Sequence, residues 1–116
     1  MIYKITSLKK SFLMIFLFSS LVSSNEIIVI DVRSDEEVKT GIIQDAIHIE
    51  WTDIEKEISN LDISKEHSIY LYCRSGNRSG KAMTILEKMG FTNAKNVGGI
   101  IEAADKLDKK IVKYSD

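Results

Sequence analysis

The chain has 116 residues, of which 44% are hydrophobic and 28% charged, with a formal net charge of −1, one cysteine and no proline. This length and composition suit one small globular domain and exclude two ordinary domains. The single cysteine excludes an intramolecular disulfide and leaves either a buried inert thiol or a reactive one.

Residues 1–24 differ from the rest of the chain. Three lysines precede the apolar run of residues 12–18, and small and polar residues follow up to Ser24. This order is typical of a secretory signal peptide, with a buried core helix as the alternative. The apolar stretch of residues 12–22 is shorter than the roughly 20 residues that span a bilayer. We therefore predict a signal peptide over residues 1–24 and a periplasmic or secreted domain over residues 25–116, without stable membrane association.

The predicted cleavage changes the charge of the protein. It removes three lysines and no acidic residue, so 13 of the 16 basic residues and all 17 acidic residues remain, a net charge of −4. Nucleic-acid binding requires a basic face that displaces counterions from phosphates. We therefore expect no nucleic-acid partner.

The predicted domain begins with a strand, a short helix and a second strand. Residues 26–31 are nearly continuous in β-branched side chains, as in a strand buried on both faces of a parallel sheet. Ser34 and Glu37 have the spacing of a capping box at the start of a helix that ends at Gly41. Residues 46–49 predict a brief second strand.

A second helix, a third strand and a third helix follow. Residues 52–55 repeat the capping pattern, and residues 68–72 predict a strand from their β-branched and aromatic content. The apolar stripe of the second helix consists of Ile54, Ile58 and Leu61. The third helix ends at Gly90, and its apolar stripe consists of Ala82, Ile85, Leu86 and Met89.

The last third of the sequence completes the alternation of strands and helices. A weaker strand over residues 93–97 precedes the glycine pair Gly98-Gly99. A last amphipathic helix is predicted from the spacing of Ile100, Ala104, Leu107 and Ile111. The alternation predicts an α/β fold, a small parallel sheet with helices on both faces, in which ligands bind at the carboxyl ends of the strands.

The only cysteine, Cys73, lies between the third strand and the third helix, in the segment YLYCRSGNRSGKA of residues 70–82. Gly76 permits a positive φ in the turn that follows the cysteine. The amides of Ser79 and Gly80 belong to the positive end of the helix dipole. We therefore expect the loop to form a bowl of backbone N–H groups around the sulfur.

Two arginines, Arg74 and Arg78, add positive charge at the rim of this bowl. Such surroundings stabilise a thiolate and lower a cysteine pKa from about 8.5 into the range of about 3.5 to 7.5. The alternative is a buried cysteine that acts only as a small hydrophobe. The electropositive setting favours an ionised nucleophile, and the same bowl suits a small oxyanion.

The segment Cys73-Arg-Ser-Gly-Asn-Arg-Ser79 resembles the active-site loop of the single-domain rhodaneses, the thiosulfate sulfurtransferases, in its C-R-x-G-x-R-S form. Residues 30–34 resemble the D-V-R opening of that family, and residues 41–49 its G-H-I-x-G-A-x-N-I segment. Residues 96–99 resemble its final glycine pair. The likeness covers residues 26–106, and with the predicted export signal it is similar to the periplasmic phage-shock type.

The resemblance implies transfer of a sulfane sulfur from thiosulfate or a related donor, through a persulfide on Cys73, to cyanide or a thiol. The implied substrate-binding residues are Arg74, Ser75, Gly76, Asn77, Arg78 and Ser79. Asp31, at the carboxyl end of the first strand, is expected to anchor Arg74 or Arg78 by a bidentate pair. The alternative is that Asp31 caps the turn that follows it. The expected partners are small-molecule sulfur donors and acceptors, and no cofactor is implied.

Three departures from the family pattern affect the surroundings of the loop. Ile42 stands where many relatives have histidine, and Asp45 replaces a glycine. The tryptophan that often follows the glycine pair is missing after Gly99. The missing tryptophan alters one wall of the expected pocket, so we expect it to affect the choice of substrate.

Two other functions fit the same motif less well. A rhodanese-like module that only carries persulfide or binds anions would need the same thiolate, but an intact cysteine with two loop arginines favours chemistry. A cysteine phosphatase or arsenate reductase has five residues between cysteine and arginine, whereas residues 74–77 number four here. Tyr72 also stands where phosphatases usually have histidine. The smaller bowl suits a sulfur atom on the cysteine better than a phosphoryl group.

His48, His67 and Trp51 are predicted to have structural rather than catalytic roles. His48 lies in a predicted strand and His67 just before one, and with the single cysteine they form no recognisable metal-binding spacing. We therefore predict no metal site. Trp51 is predicted to belong to the core or to a pocket wall.

Overall fold

The computed structural model describes residues 26–115. The signal peptide predicted over residues 1–24 lies outside the described residues. Within residues 26–115, no helix has the length and apolar character needed to cross a membrane.

Short strands and helices alternate along the described chain. In order they are β1 (Ile27–Asp31), α1 (Asp35–Val38), β2 (Ile42–Ile43), β3 (Ile47–His48), a 3₁₀ turn (Trp51–Asp53), α2 (Ile54–Ile58), β4 (Ser68–Cys73), α3 (Asn77–Lys88), β5 (Ala94–Gly99), α4 (Ile100–Leu107) and β6 (Ile111–Val112). The alternation confirms the predicted α/β class.

A parallel sheet of four strands in the order β3-β1-β4-β5 forms the centre of the domain. β1 pairs in parallel with both β3 and β4, and Asp31 lies opposite Tyr72 in the register of β1 and β4. β4 pairs in parallel with β5. Because all four strands run the same way, their carboxyl ends share one edge of the sheet, and Cys73 ends β4 at that edge.

Helices cover both faces of this sheet, as predicted. α2 and α3 pack on one face, where Ile54 and Leu86 are fully buried. α4 packs on the other face, where Ala103 lies beside Ile43 of β2. Each fully buried isoleucine or leucine side chain contributes about 1.5–3 kcal/mol to folding, so the two small cores together hold the sheet in place.

The two predicted capping boxes have different outcomes. At α1 the Ser34 hydroxyl accepts from the Glu37 amide at 3.3 Å, and Glu37 Oε1 accepts from the Ser34 amide at 3.0 Å, so this box is confirmed. The box predicted over residues 52–55 is wrong. A 3₁₀ turn occupies that position, and α2 begins after Asp53 without any side-chain cap.

The predicted extent of the last helix is also wrong. α4 ends at Leu107, because Asp108 adopts the left-handed conformation with φ 52°. Ile111 instead lies in β6, where it pairs with Ile43 in an antiparallel two-stranded ribbon with β2. The ribbon was missed because two-residue strands leave no periodic signal, and Ile111 falls by coincidence on the helical stripe of α4.

Candidate active site

The loop of residues 74–79 surrounds the sulfur of Cys73 with hydrogen-bond donors. The Gly76 amide donates to Cys73 Sγ at 3.0 Å, and the Ser79 hydroxyl lies within donating distance at 3.4 Å. Gly76 has φ 96°, a left-handed conformation that a side chain disfavours, and this turn brings its N–H back onto the sulfur. The predicted bowl of donors is therefore present.

The helix that follows the loop begins before Ser79 and Gly80, the residues whose amides are predicted at its positive end. α3 starts at Asn77, with Gly76 as its N-terminal capping position. As a result the Gly80 amide donates to the Gly76 carbonyl at 3.1 Å inside the helix, and its predicted place in the bowl is wrong. The Ser79 amide, one residue earlier, does act on the sulfur.

These donors decide the ionisation of Cys73. Burial raises the pKa of the thiol, and hydrogen bonds from the Ser79 hydroxyl and from the Ser79, Ser75 and Gly76 amides lower it. The donors outweigh burial, so the pKa lies below that of an ordinary cysteine. This is the direction that the sequence predicts.

Cys73 is covered in this conformation. None of its surface is exposed, and its side chain packs with the core of the α2 and α3 face. The cover over the sulfur consists of the polar loop, whose residues Arg74, Ser75 and Asn77 are exposed, so the sulfur lies under main-chain donors and one hydroxyl. The sulfur is therefore closed to solvent in this conformation.

Arg78 is held by a carboxylate that sequence reasoning assigned only to a helix cap. Its two terminal nitrogens donate to Glu37 Oε1 at 2.6 Å and to Oε2 at 2.9 Å. Hydrogen bonds from Arg78, together with those from Ser34, lower the pKa of Glu37 to about 2 against the effect of burial. Glu37 thus joins the start of α1 to the start of α3 across 41 residues of sequence.

The predicted anchoring of a loop arginine by Asp31 is wrong. The buried carboxylate of Asp31 instead pairs with Arg33, accepting from Nε at 3.0 Å and from Nη2 at 2.7 Å. It also accepts from the Arg33 amide at 2.9 Å, so the alternative, a cap on the following turn, is what forms. Arg33 Nη2 donates further to the Gly41 carbonyl, which fixes the chain after α1.

Arg74 therefore differs from Arg78 in its environment. Its side chain is exposed, and among residues 26–115 no carboxylate lies within ion-pair distance of it. Arg78 is partly buried and bound to Glu37. The loop thus carries one cation that is fixed in place and one that faces solvent.

Asn96 is a site residue that sequence reasoning missed. It lies on β5, beside the loop, where its side-chain oxygen accepts from the Ser79 hydroxyl at 2.7 Å and from the Gly98 amide at 3.0 Å. Its side-chain nitrogen donates to the Gly76 carbonyl at 2.8 Å. The available signal was its position two residues before the glycine pair, on the strand that neighbours β4.

The glycine pair allows β5 to approach the loop closely. A Cβ at Gly99 would lie 2.5 Å from the Arg74 carbonyl oxygen, so no larger residue fits there without a backbone shift. Cys73 and Gly99 are also register partners in the sheet. The last residues of β5 therefore form the second side of the sulfur site.

The three departures from the family pattern have defined places. Ile42 is buried in β2, and Asp45 adopts φ 69°, the left-handed conformation that glycine adopts without strain and that Asp tolerates better than most residues. Ile101, in the stretch that lacks the tryptophan, is 72% exposed. Ile101 therefore faces solvent.

The fold and this site define an α/β domain that presents a cysteine in a cradle of main-chain donors. The family model described as rhodanese-like domain matches residues 17–107. The chain belongs to the rhodanese family, as its loop sequence predicts. The matched region begins within residues 1–24.

Individual relatives agree with this assignment. The Escherichia coli (strain K12) protein named thiosulfate sulfurtransferase PspE is 35% identical over 75 residues, which cover 65% of this chain and 72% of that protein. An Allochromatium vinosum protein named sulfurtransferase is 33% identical over 82 residues, covering 70% of this chain and 75% of that protein. The solved structure of a rhodanese with anions from E. coli is 31% identical, with a TM-score of 0.70, and covers 77% of this chain and all of that one. These relatives support sulfur transfer as the general activity.

Proposed function

We propose that this protein is a thiosulfate sulfurtransferase in which Cys73 carries the sulfur as a persulfide. The observation that carries the proposal is the set of N–H and O–H donors on Cys73 Sγ, from Gly76 and Ser79. The same donors that stabilise a thiolate also stabilise the negative charge of a persulfide. The name of the E. coli relative supports thiosulfate as the donor.

The transfer proceeds in two displacement steps. The Cys73 thiolate attacks the outer sulfur of thiosulfate, a new S–S bond forms, and the old S–S bond breaks with its electron pair leaving on sulfite. Cyanide or a thiolate then attacks the outer sulfur of the persulfide. This second step breaks the bond to Cys73 and returns the thiolate, so neither step needs a general base or a cofactor.

The two loop arginines have different tasks in this mechanism. Arg74, exposed and without a carboxylate partner among residues 26–115, meets the incoming dianion. Arg78, bound to Glu37, fixes the end of the loop and adds positive charge near the sulfur. The exposed loop residues Ser75 and Asn77 lie at the rim, where a donor enters.

Two measurements on one set of proteins test the proposal. The wild type and the Cys73→Ala and Cys73→Ser variants are incubated with thiosulfate and cyanide, and thiocyanate release is followed. Because the chain has one cysteine, the variants have no other thiol to act in its place. Equal release by all three proteins would exclude catalysis by Cys73.

Mass spectrometry after thiosulfate alone separates an enzyme from a carrier. The wild type should gain one sulfur atom and lose it again when cyanide is added. A persulfide that forms but does not turn over with any small acceptor would favour a carrier. No gain of sulfur together with no thiocyanate would favour an anion-binding module.

We further propose that the protein acts outside the cytoplasm after removal of residues 1–24. The support is the order of lysines, apolar run and small polar residues up to Ser24. The mass of the protein recovered from a periplasmic extract or the medium should correspond to a chain that begins near Asn25. Recovery of only the full-length chain from the cytoplasm would exclude export.

A further inference from the structure

The hydroxyl of Ser79 lies between two acceptors. Its oxygen is 2.7 Å from Asn96 Oδ1 and 3.4 Å from Cys73 Sγ. A serine hydroxyl has one proton, so it donates to only one of the two at a time. The distance to Asn96 is that of a well-formed O–H···O hydrogen bond.

Asn96 does not depend on Ser79 for its orientation. Its Nδ2 donates to the Gly76 carbonyl at 2.8 Å, and its Oδ1 accepts from the Gly98 amide at 3.0 Å. These two backbone contacts fix which end of the side-chain amide faces Ser79. The acceptor therefore stays in place whether or not the hydroxyl proton points toward it.

We propose that Asn96 is a positioning residue for the sulfur transfer proposed above, because its Oδ1 competes with Cys73 Sγ for the Ser79 hydroxyl proton. The role rests on that proposed function and acts entirely through Ser79. Asn96 itself does not touch the sulfur.

The competition differs between the two ionisation states of the cysteine. In the thiol state, S–H donates to Ser79 Oγ and the Ser79 hydroxyl donates to Asn96. When the thiol proton leaves to solvent, the sulfur becomes a charged acceptor and the hydroxyl turns toward it. Asn96 Oδ1 then keeps only the Gly98 amide. Asn96 thus stabilises the thiol state relative to the thiolate.

The surrounding charges do not change in the Asn96→Leu and Ser79→Ala variants. The charged groups around the site are Asp31, Arg33, Glu37, Arg74, Arg78 and Glu102. Arg78 acts electrostatically on Cys73. All six are retained in the variants Asn96→Leu and Ser79→Ala, so a shift between these variants does not come from a lost charge.

The test is a double-mutant cycle read by the pH dependence of Cys73 alkylation with iodoacetamide. The four proteins are the wild type, Asn96→Leu, Ser79→Ala and the double variant. With Ser79 present, Asn96→Leu should lower the pH midpoint of alkylation. This shift should exceed the shift that Asn96→Leu causes in the Ser79→Ala background by about one pH unit, which is the size of one charge-assisted hydrogen bond. Any general loosening of the loop acts equally in both backgrounds and cancels.

The matched control is Asn93→Leu. Asn93 also donates from its side chain to a loop carbonyl, that of Glu66 at 2.8 Å, but at the other end of the sheet. Its replacement should leave the midpoint unchanged. Alkylation of Cys73 needs no turnover. The alkylation result can therefore refute the role of Asn96 while thiocyanate release persists, and it can support that role in a protein that releases no thiocyanate.

Asn96→Asp supplies an independent arm. A carboxylate holds the hydroxyl proton more strongly, so the midpoint should rise more with Ser79 present than in the Ser79→Ala background. The added charge itself contributes equally to both. Equal shifts in the two backgrounds, for both Leu and Asp, would overturn the proposal and leave Asn96 as a brace for the loop.

Discussion

Replacement of Glu37 by glutamine removes the ion pair with Arg78 and keeps the helix cap. Glutamine still accepts from the Ser34 amide, because capping boxes use either Glu or Gln at this position. It lacks the negative charge that receives the two Arg78 donors at 2.6 and 2.9 Å. The variant therefore isolates the connection between α1 and the start of α3.

The pKa of Glu37 sets the upper limit of the effect. Arg78 is the main cause of its fall from the ordinary 4.5 to about 2, which corresponds to roughly 3 kcal/mol of folding stability. The Arg78 and Glu37 side chains are 29% and 26% exposed, so solvent screening reduces this figure. We expect Glu37→Gln to lower the free energy of unfolding by about 1–2 kcal/mol at neutral pH.

The pH dependence has a defined sign. A lowered carboxyl pKa stabilises the folded state above about 4.5, and the stabilisation is lost as the pH falls toward 2. Urea unfolding curves of the wild type and Glu37→Gln should therefore differ at neutral pH and converge in acid. A gap that stays constant over this range would refute the reasoning.

The matched control is Glu36→Gln, on the same helix. Glu36 pairs with Lys39 at 3.1 Å, but both side chains are mostly exposed. Its replacement should change the free energy of unfolding by less than about 0.5 kcal/mol. An effect equal to that of Glu37→Gln would show that the pair of Glu37 and Arg78 contributes no more to stability than an exposed ion pair.

Three further outcomes are expected. The buried Ile43 amide donates to the Tyr72 hydroxyl at 3.0 Å, and Tyr72→Phe leaves it without this partner. The variant should therefore lose about 1–3 kcal/mol of the free energy of unfolding in urea. No change would mean that water replaces the hydroxyl. Gly99→Ala places a Cβ 2.5 Å from the Arg74 carbonyl oxygen, so the loop must shift. The variant should reduce thiocyanate release at least tenfold. Unimpaired release would show that the close approach of β5 to the loop is not needed for activity. Cys73 in the folded protein should be alkylated with a pH midpoint below that of the urea-unfolded chain, because its pKa is lowered; coincident midpoints would contradict the donor arrangement.

Local signals were sufficient for the parts of the fold that depend on neighbouring residues. The β-branched run of β1 and the Ser34 and Glu37 spacing both formed the predicted elements. The loop after Cys73 also formed the predicted turn, because Gly76 alone supplies the required φ. In each case the physical cause lies within a few residues of the element.

Contacts between distant segments were not predictable in the same way. Glu37 was recognised as a cap, but its second partner, Arg78, lies 41 residues away and is brought near only by the sheet. Asp31 was expected either to anchor a loop arginine or to cap the turn after it, and the local alternative formed, with Arg33, two residues on, as its partner. Asn96 lies in the segment that resembles the glycine pair of the family, but its contacts with the loop depend on β5 lying beside β4.

The ribbon of β2 and β6 has a consequence for synthesis of the protein on the ribosome. β6 is the last strand of the described residues, and it pairs with Ile43, whose amide donates to the hydroxyl of Tyr72, the residue before Cys73. A nascent chain that stops before Ile111 lacks the strand that holds Ile43 in place. The final setting of the sulfur site therefore waits until residues 111–112 have left the exit tunnel.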